Sequence, residues 1–154
     1  MKKIAIISII CICIDQLSKI IISNVLKLNS CKEIISNFYY MCNAHNDGAA
    51  WSILSGSRYF LILVPFIVIP IIYYFFIRNK KIGIIETISY GMLIGGIIGN
   101  LIDRIIYGYV IDFFDFIIFG YDFPIFNIAD TCIVISIILI ILFVRDDKNE
   151  ISSK

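Results

Sequence analysis

Charge is scarce in this chain: only 16% of its residues are Asp, Glu, Lys or Arg, and the formal net charge is +1. With no basic cluster either, nucleic acid is excluded as an expected partner. Histidine is rarer still. The one copy, His45, cannot supply a His-Glu-x-x-His pair, so a zincin-type metalloprotease lacks its ligands, and His45 itself reads as a loop residue. No Gly-x-Ser-x-Gly elbow is present. Ser18 and Lys19 are adjacent, hence on different helix faces, and make a poor Ser/Lys dyad. Cysteine is present without forming a framework. Cys11, Cys13 and Cys132 lie in apolar runs as small packing residues. Cys31 and Cys42 share a polar loop and could pair if that loop faces an oxidising compartment and aligns them closely, a question the sequence leaves open.

Apolar sequence, by contrast, is abundant. Hydrophobic residues make up 60% of 154 and the mean hydropathy is +0.93, more than a soluble fold of this size could hide. The expectation is one integral membrane domain over residues 1–154, an all-α protein of four transmembrane helices with a small extracytoplasmic β/loop subdomain. The spans are placed at 4–25, 59–77, 84–102 and 127–144, with an outer loop over 27–58. Lys2 and Lys3 before the first run resemble the start of a signal peptide. The run is nevertheless long enough to span and carries Asp15 and Lys19, so retention is expected. Asp15 and Lys19 are i and i+4 and can pair, and a structural staple explains them at least as well as direct chemistry.

Within 27–58, Ile34–Met41 is rich in strand formers and Asn46-Asp-Gly48 signals a turn, which predicts a small sheet or hairpin on the membrane surface. Trp51 suits the interface. In the third span Gly91, Gly95 and Gly99 recur every four residues, a stripe that admits a close helix neighbour and continues to Asp103. The aromatic-rich segment 107–126 is broken by Gly108, Gly120 and Pro124 and is expected to lie in the interface rather than span. Lys2, Lys3, Arg78, Lys80, Lys81, Arg145 and Lys148 fall on one side of a four-span layout. By the positive-inside rule that side is cytoplasmic, with both termini there.

The polar residues that remain are carboxylates. Asp103, Asp112 and Asp130 stand beside very apolar sequence, where an ionisable group is costly and faces a bundle interior or wet cavity. Two nearby aspartates share a proton, so one can accept from water while the other donates to a carbonyl oxygen, hydrolysing an amide without metal. Spacing alone does not choose the pair among Asp103, Asp112, Asp115, Asp122 and Asp130. Arg104 is the evident ion-pair partner for Asp103, and Asp115 and Asp122 read as solvated. A proton-coupled transporter or channel accounts for such a cluster about as well, although the apolar inner halves of spans two and four argue for a one-sided pocket. A non-enzymatic scaffold is the third reading.

Five short motifs occur in order: Asp15-x-x-x-Lys19, Asn46-x-Gly48-Ala-Ala-Trp-Ser, Gly99-Asn100-x-x-Asp103-Arg104, Val110-Ile-Asp112-Phe and Phe126-Asn127-x-Ala129-Asp130. Together they resemble the bacterial lipoprotein signal peptidases (signal peptidase II) over nearly the whole chain. Trp51 departs from the pattern, standing where Phe is common. The resemblance implies an aspartic peptidase of the bacterial cytoplasmic (inner) membrane, acting near the outer leaflet. Its substrates would be diacylglyceryl-prolipoproteins, cut just before the lipidated cysteine. It implies Asp112 and Asp130 as the catalytic pair. Asn46, Gly48, Asn100, Asp103, Arg104, Asn127 and Ala129 would shape the site and hold substrate, and Asp15 and Lys19 would form a structural pair. No metal or cofactor is implied. Membrane lipids are expected contacts, and a monomer is the working expectation.

Overall fold

A computed structural model describes residues 1–49, 51 and 53–143. The elements run α1 (Lys2–Val25), β1 (Cys31–Ile35), β2 (Tyr39–Asn46), α2 (Arg58–Ile72), α3 (Ile84–Ile106), β3 (Val110–Ile118), β4 (Tyr121–Asp122) and α4 (Ile128–Phe143). A π-helical turn, Tyr73–Ile77, carries α2 onward. Lys2–Val25, Arg58–Ile77 and Ile84–Ile106 are each long and apolar enough to cross a membrane. The apolar α4 is shorter, at 16 residues. The basic flank expected after it, Arg145 and Lys148, lies outside the described residues, as do Ala50 and Ser52 of the Asn46 motif.

Helix α3 is the hub, because its small residues let α1 and α4 approach on two sides. A Cβ at Gly91 would stand 2.7 Å from Ile7 Cβ, one at Gly95 2.9 Å from the Ser8 carbonyl, and one at Gly99 2.7 Å from Asp15 Oδ2. The expected stripe therefore faces α1. Gly96, off that stripe, faces α4: a Cβ there would overlap the Ala129 carbonyl oxygen and lie 2.8 Å from Ile133 Cγ1. Backbone cannot give way as a side chain can. Gly96→Ala is expected to destabilise the protein by about 1–3 kcal/mol, the usual range for overpacking, read as a lowered midpoint of thermal unfolding in detergent. An unchanged midpoint would mean that the two helices are not in contact there.

The third helix runs past the end of the span expected for it. The helix does not end at residue 102 but continues to Ile106, so Asp103 and Arg104 project from its last turns. No helix-breaking residue intervenes before Gly108, whose φ of +89° ends it.

The aromatic segment, expected not to form a spanning helix, takes a definite form. It forms β3, whose Val, Ile and Phe suit a pleated, half-buried surface. The sheet is antiparallel in the order β1-β2-β3-β4, with Ala44 opposite Asp112 and Tyr40 opposite Asp115. Both loops thus build one sheet, where a hairpin within 27–58 was expected. Consequently His45 lies on β2 rather than in a loop, its ring stacked on Tyr109 at 3.7 Å between centroids.

Cys31 and Cys42 are disulfide-bonded, which answers the question that the sequence left open. The β1–β2 register sets them directly opposite, with Cα atoms 4.0 Å apart. Two cysteines in a polar loop reveal no register, and without it the pairing is not legible.

Candidate active site

Asp112 enters the protein on β3, and Asp130 on the first turn of α4. Strand alternation aims Asp112 away from its neighbours Ile111 and Phe113. Asp130 is placed by a reciprocal cap. Its N–H donates to Asn127 Oδ1 at 3.0 Å, and the Asn127 N–H donates to Asp130 Oδ2 at 3.2 Å. This is a capping box written with Asn and Asp, and it seats a carboxylate where the helix N-terminus favours negative charge.

Asn127 also joins the two aspartates. Its Nδ2 lies 2.6 Å from Asp112 Oδ1 and 3.1 Å from Asn100 Oδ1, while Asn100 Nδ2 donates to Asp130 Oδ1 at 2.7 Å. From the other side Asn46 Nδ2 donates to Asp112 Oδ2 at 3.0 Å. The Asn46 side chain accepts from the Gly48 N–H at 2.9 Å, and Arg104 Nη2 donates to the Gly48 carbonyl at 2.8 Å. Asp112, Asp130, Asn46, Gly48, Asn100, Arg104 and Asn127 are therefore brought together, as their motifs suggested. Burial, and then the Asp130 carboxylate, push the Asp112 carboxyl up to about 7 despite the amides of Asn46 and Asn127. At that value the Asp112 carboxyl is partly protonated near neutrality.

Asp103 belongs to a second, adjoining network. Lys19 Nζ lies 2.8 Å from Asp15 Oδ2 and 2.8 Å from Asp103 Oδ2, all three groups nearly inaccessible to solvent. The expected Asp103–Arg104 pair is corrected here: consecutive helix residues point to different faces, and Lys19 of α1 takes the carboxylate instead. The network holds both carriers of the central aspartates. Asp103 Oδ2 accepts from the Ile111 N–H at 3.3 Å, and Asp15 Oδ1 accepts from the Ala129 N–H at 2.9 Å. Lys19 also donates to Asn100 Oδ1 at 3.1 Å, the side chain whose Nδ2 binds Asp130. Ala129 is fully buried against α3, where its small side chain fits beside Gly99.

Two residues escaped the sequence reading. Gln16 Nε2 lies 2.8 Å from Asp103 Oδ1 and 3.2 Å from Asp15 Oδ2. Its place inside the Asp15–Lys19 motif was the only available signal. Arg58 Nε and Nη2 donate to the carbonyls of Arg104 and Ile105 at 3.0 and 2.9 Å, tying the start of α2 to the end of α3. Nothing local to Arg58 announces that contact. Asp115 faces away from Asp112 on β3 and is half-buried rather than freely solvated. Burial, then the Asp122 charge, raise its carboxyl above the usual range. The side-chain atoms of Cys31, Cys42 and Asp115 come within 4.8 Å of one another, but the disulfide occupies both sulfurs, so the trio is not an open ligand set.

Residues 7–145 match the family model described as signal peptidase (SPase) II. Lipoprotein signal peptidases of Staphylococcus aureus strains JH9 and Newman are each 40% identical over 145 residues, covering 94% of this chain and 89% of theirs. A solved structure described as a bacterial membrane enzyme at 2.3 Å resolution superposes with a TM-score of 0.86 at 37% identity, covering 100% of this chain and 93% of that one. A second under the same description, at 1.9 Å, gives 0.83 at 38% identity over 96% and 95%.

Proposed function

The chain belongs to the signal peptidase II family, and from that premise we propose that it is an aspartic endopeptidase cleaving diacylglyceryl-modified prolipoproteins just before the lipidated cysteine. The observation that carries the aspartic mechanism is Asn127, one side chain whose bonds reach both Asp112 and the cap that seats Asp130. It draws a strand carboxylate and a helix carboxylate into one buried, proton-sharing pair.

In this reading the ionised member takes a proton from a water molecule as its oxygen bonds to the scissile carbonyl carbon. The protonated member donates to the carbonyl oxygen. When the carbon–nitrogen bond breaks, the proton held by the first carboxyl passes to the departing amine. Acid and base both come from the protein, so the scheme uses no metal. Asn46 and Asn100 orient one carboxylate each, and Arg104 holds the Gly48 backbone at the rim.

The proposed setting is a single four-span domain over residues 1–154 in the bacterial cytoplasmic membrane, with both termini cytoplasmic and the sheet outside. The Lys2, Lys3 and Arg78–Lys81 flank supports this orientation. A monomer is proposed. The deciding experiment offers purified protein a diacylglycerylated prolipoprotein peptide and its unlipidated twin, with chelator in parallel, and weighs the products. Cleavage of the lipidated peptide alone, at the cysteine and unaffected by chelator, is expected. No cleavage by folded protein in lipid would sink the reading.

A pH dependence follows from the Asp112 carboxyl at about 7. Below that value the pair keeps its shared proton; above it the proton leaves and the general acid with it. kcat is expected to fall about tenfold per pH unit above about pH 8. A rate still rising at pH 9 would exclude a protonated carboxyl from the rate-limiting step.

A further inference from the structure

The covalent cross-link at the edge of the sheet joins two sulfurs in different surroundings. Cys31 lies on β1, the edge strand, every residue of which is exposed. Cys42 lies opposite on β2 and is 1% exposed. A thiol arriving from solvent therefore reaches Cys31 and not Cys42, and access decides which sulfur is attacked. On the buried side, Asp115 Oδ2 stands 3.4 Å from Cys42 Sγ. It is the acceptor that a released Cys42 thiol needs, so the buried half of the bond has a place in both redox states.

The strand register shows what the bond restrains. Met41 pairs with Phe114 and Ala44 with Asp112, so Cys42 and Asn43 together stand against the single Phe113. This is a β-bulge, an irregularity that re-aims side chains beside a site, and it immediately precedes the strand partner of Asp112. Asn46, whose side chain orients Asp112, lies three residues beyond it on β2. The bulge is clamped from the β1 side. The Asn29 N–H donates to the Asn43 carbonyl at 2.8 Å, and the Asn43 N–H donates to the Ser30 carbonyl at 3.0 Å. Cys31 follows Ser30 directly, and its bond to Cys42 closes the clamp. With that bond open, the exposed β1 depends on solvent-accessible backbone hydrogen bonds, the kind that open locally at little cost.

We propose that Cys31–Cys42 is a redox-modification site: a dithiol reductant on the extracytoplasmic side opens it through Cys31, and opening slackens the bulge that sets Asp112. The reductant's first thiolate bonds to Cys31 Sγ as the Sγ–Sγ bond breaks. The electron pair leaves on Cys42 Sγ, which takes a proton from water. The second thiolate then displaces Cys31 Sγ, which is protonated in turn. The protein disulfide is reduced to two thiols, and the dithiol is oxidised to a disulfide. The effect on cleavage rests on the peptidase reading above; the exchange at Cys31 and the loosening of β2 do not.

The test treats full-length protein in lipid with glutathione, quenches in acid and maps the peptides, then repeats with dithiothreitol. Glutathione is expected on Cys31 with a free thiol at Cys42. A mixed disulfide on Cys42, or a bond that dithiothreitol leaves intact in the folded protein, overturns the site. After reduction, hydrogen exchange at the amides of residues 42–46 and 110–113 should quicken by about tenfold. kcat should fall about tenfold, less than the roughly hundredfold that misplacing a catalytic group by about 1 Å can cost. Both should return on reoxidation with oxidised glutathione. Unchanged amide exchange, or an unchanged kcat in protein that cleaves, overturns the coupling. The double variant Cys31→Ser, Cys42→Ser should match the reduced protein and ignore dithiothreitol. A response surviving there would belong to Cys11, Cys13 or Cys132 and overturn the proposal. Asp112→Asn should show the same glutathione labelling and the same amide response as wild type, which separates failure of this proposal from failure of the peptidase reading.

Discussion

Replacing Asp112 or Asp130 by asparagine is expected to lower cleavage of a diacylglyceryl prolipoprotein by about ten-thousandfold, the upper range for removing a general acid or base. An amide neither accepts the proton of a water nor donates one to a carbonyl oxygen as a carboxyl does. Because the two act as a unit, the double variant should be scarcely worse than either single one. The loss should not come from unfolding. Each substitution removes a carboxyl that burial and its neighbour already disfavour as a charge, a change that relieves the folded state, so the unfolding midpoint should hold or rise. Asp115→Asn is the matched control: it lies on the same strand, three residues on and facing the other way, and should retain activity. Retained activity in Asp112→Asn or Asp130→Asn would show that the pair is misassigned and turn attention to Asp103.

Lys19→Met is expected to cost about 3–5 kcal/mol of stability, the usual penalty for stranding a buried charge. The ammonium lies 2.8 Å from each of two carboxylates that are 1% and 0% exposed. Without it, Asp15 and Asp103 face each other across α1 and α3 with no cation between them. Activity should fall as well. Those carboxylates hold the backbone N–H groups of Ile111 and Ala129, each adjacent to a member of the central pair. Thermal unfolding in detergent reads the first effect and single-turnover cleavage the second. Neutralising all three groups together, Asp15→Asn, Lys19→Met and Asp103→Asn, should recover part of the lost stability, because no uncompensated charge then remains. If Lys19→Met melts with wild type, the ion network is not holding the helices together.

The difference between these two networks shows how much was legible beforehand. Residue spacing alone left five aspartates open, and it was the motifs shared with the family that pointed to Asp112 and Asp130. The Asp15–Lys19 pair was local, four residues apart on one helix. Asp103 was read wrongly because its neighbour in sequence, Arg104, looked like its partner. The true partner stands 84 positions away, brought there by the glycine face of α3. The disulfide and β3 were not legible for a related reason. Strand register is a long-range property, and an aromatic run broken by glycines carries no mark of the strand it will pair with.

By itself, then, the amino-acid sequence determined the solvent this protein lives in, the approximate places of its apolar helices, the family and the identity of the candidate carboxylates. Each follows from local periodicity, hydropathy or a short motif. Only the tertiary structure decided which carboxylates meet. It assigned Asp112 and Asp130 to one asparagine-bridged pair, gave Asp103 and Asp15 to Lys19 and set Cys31 against Cys42. Those outcomes depend on helix approach and strand register, which the whole packed chain sets.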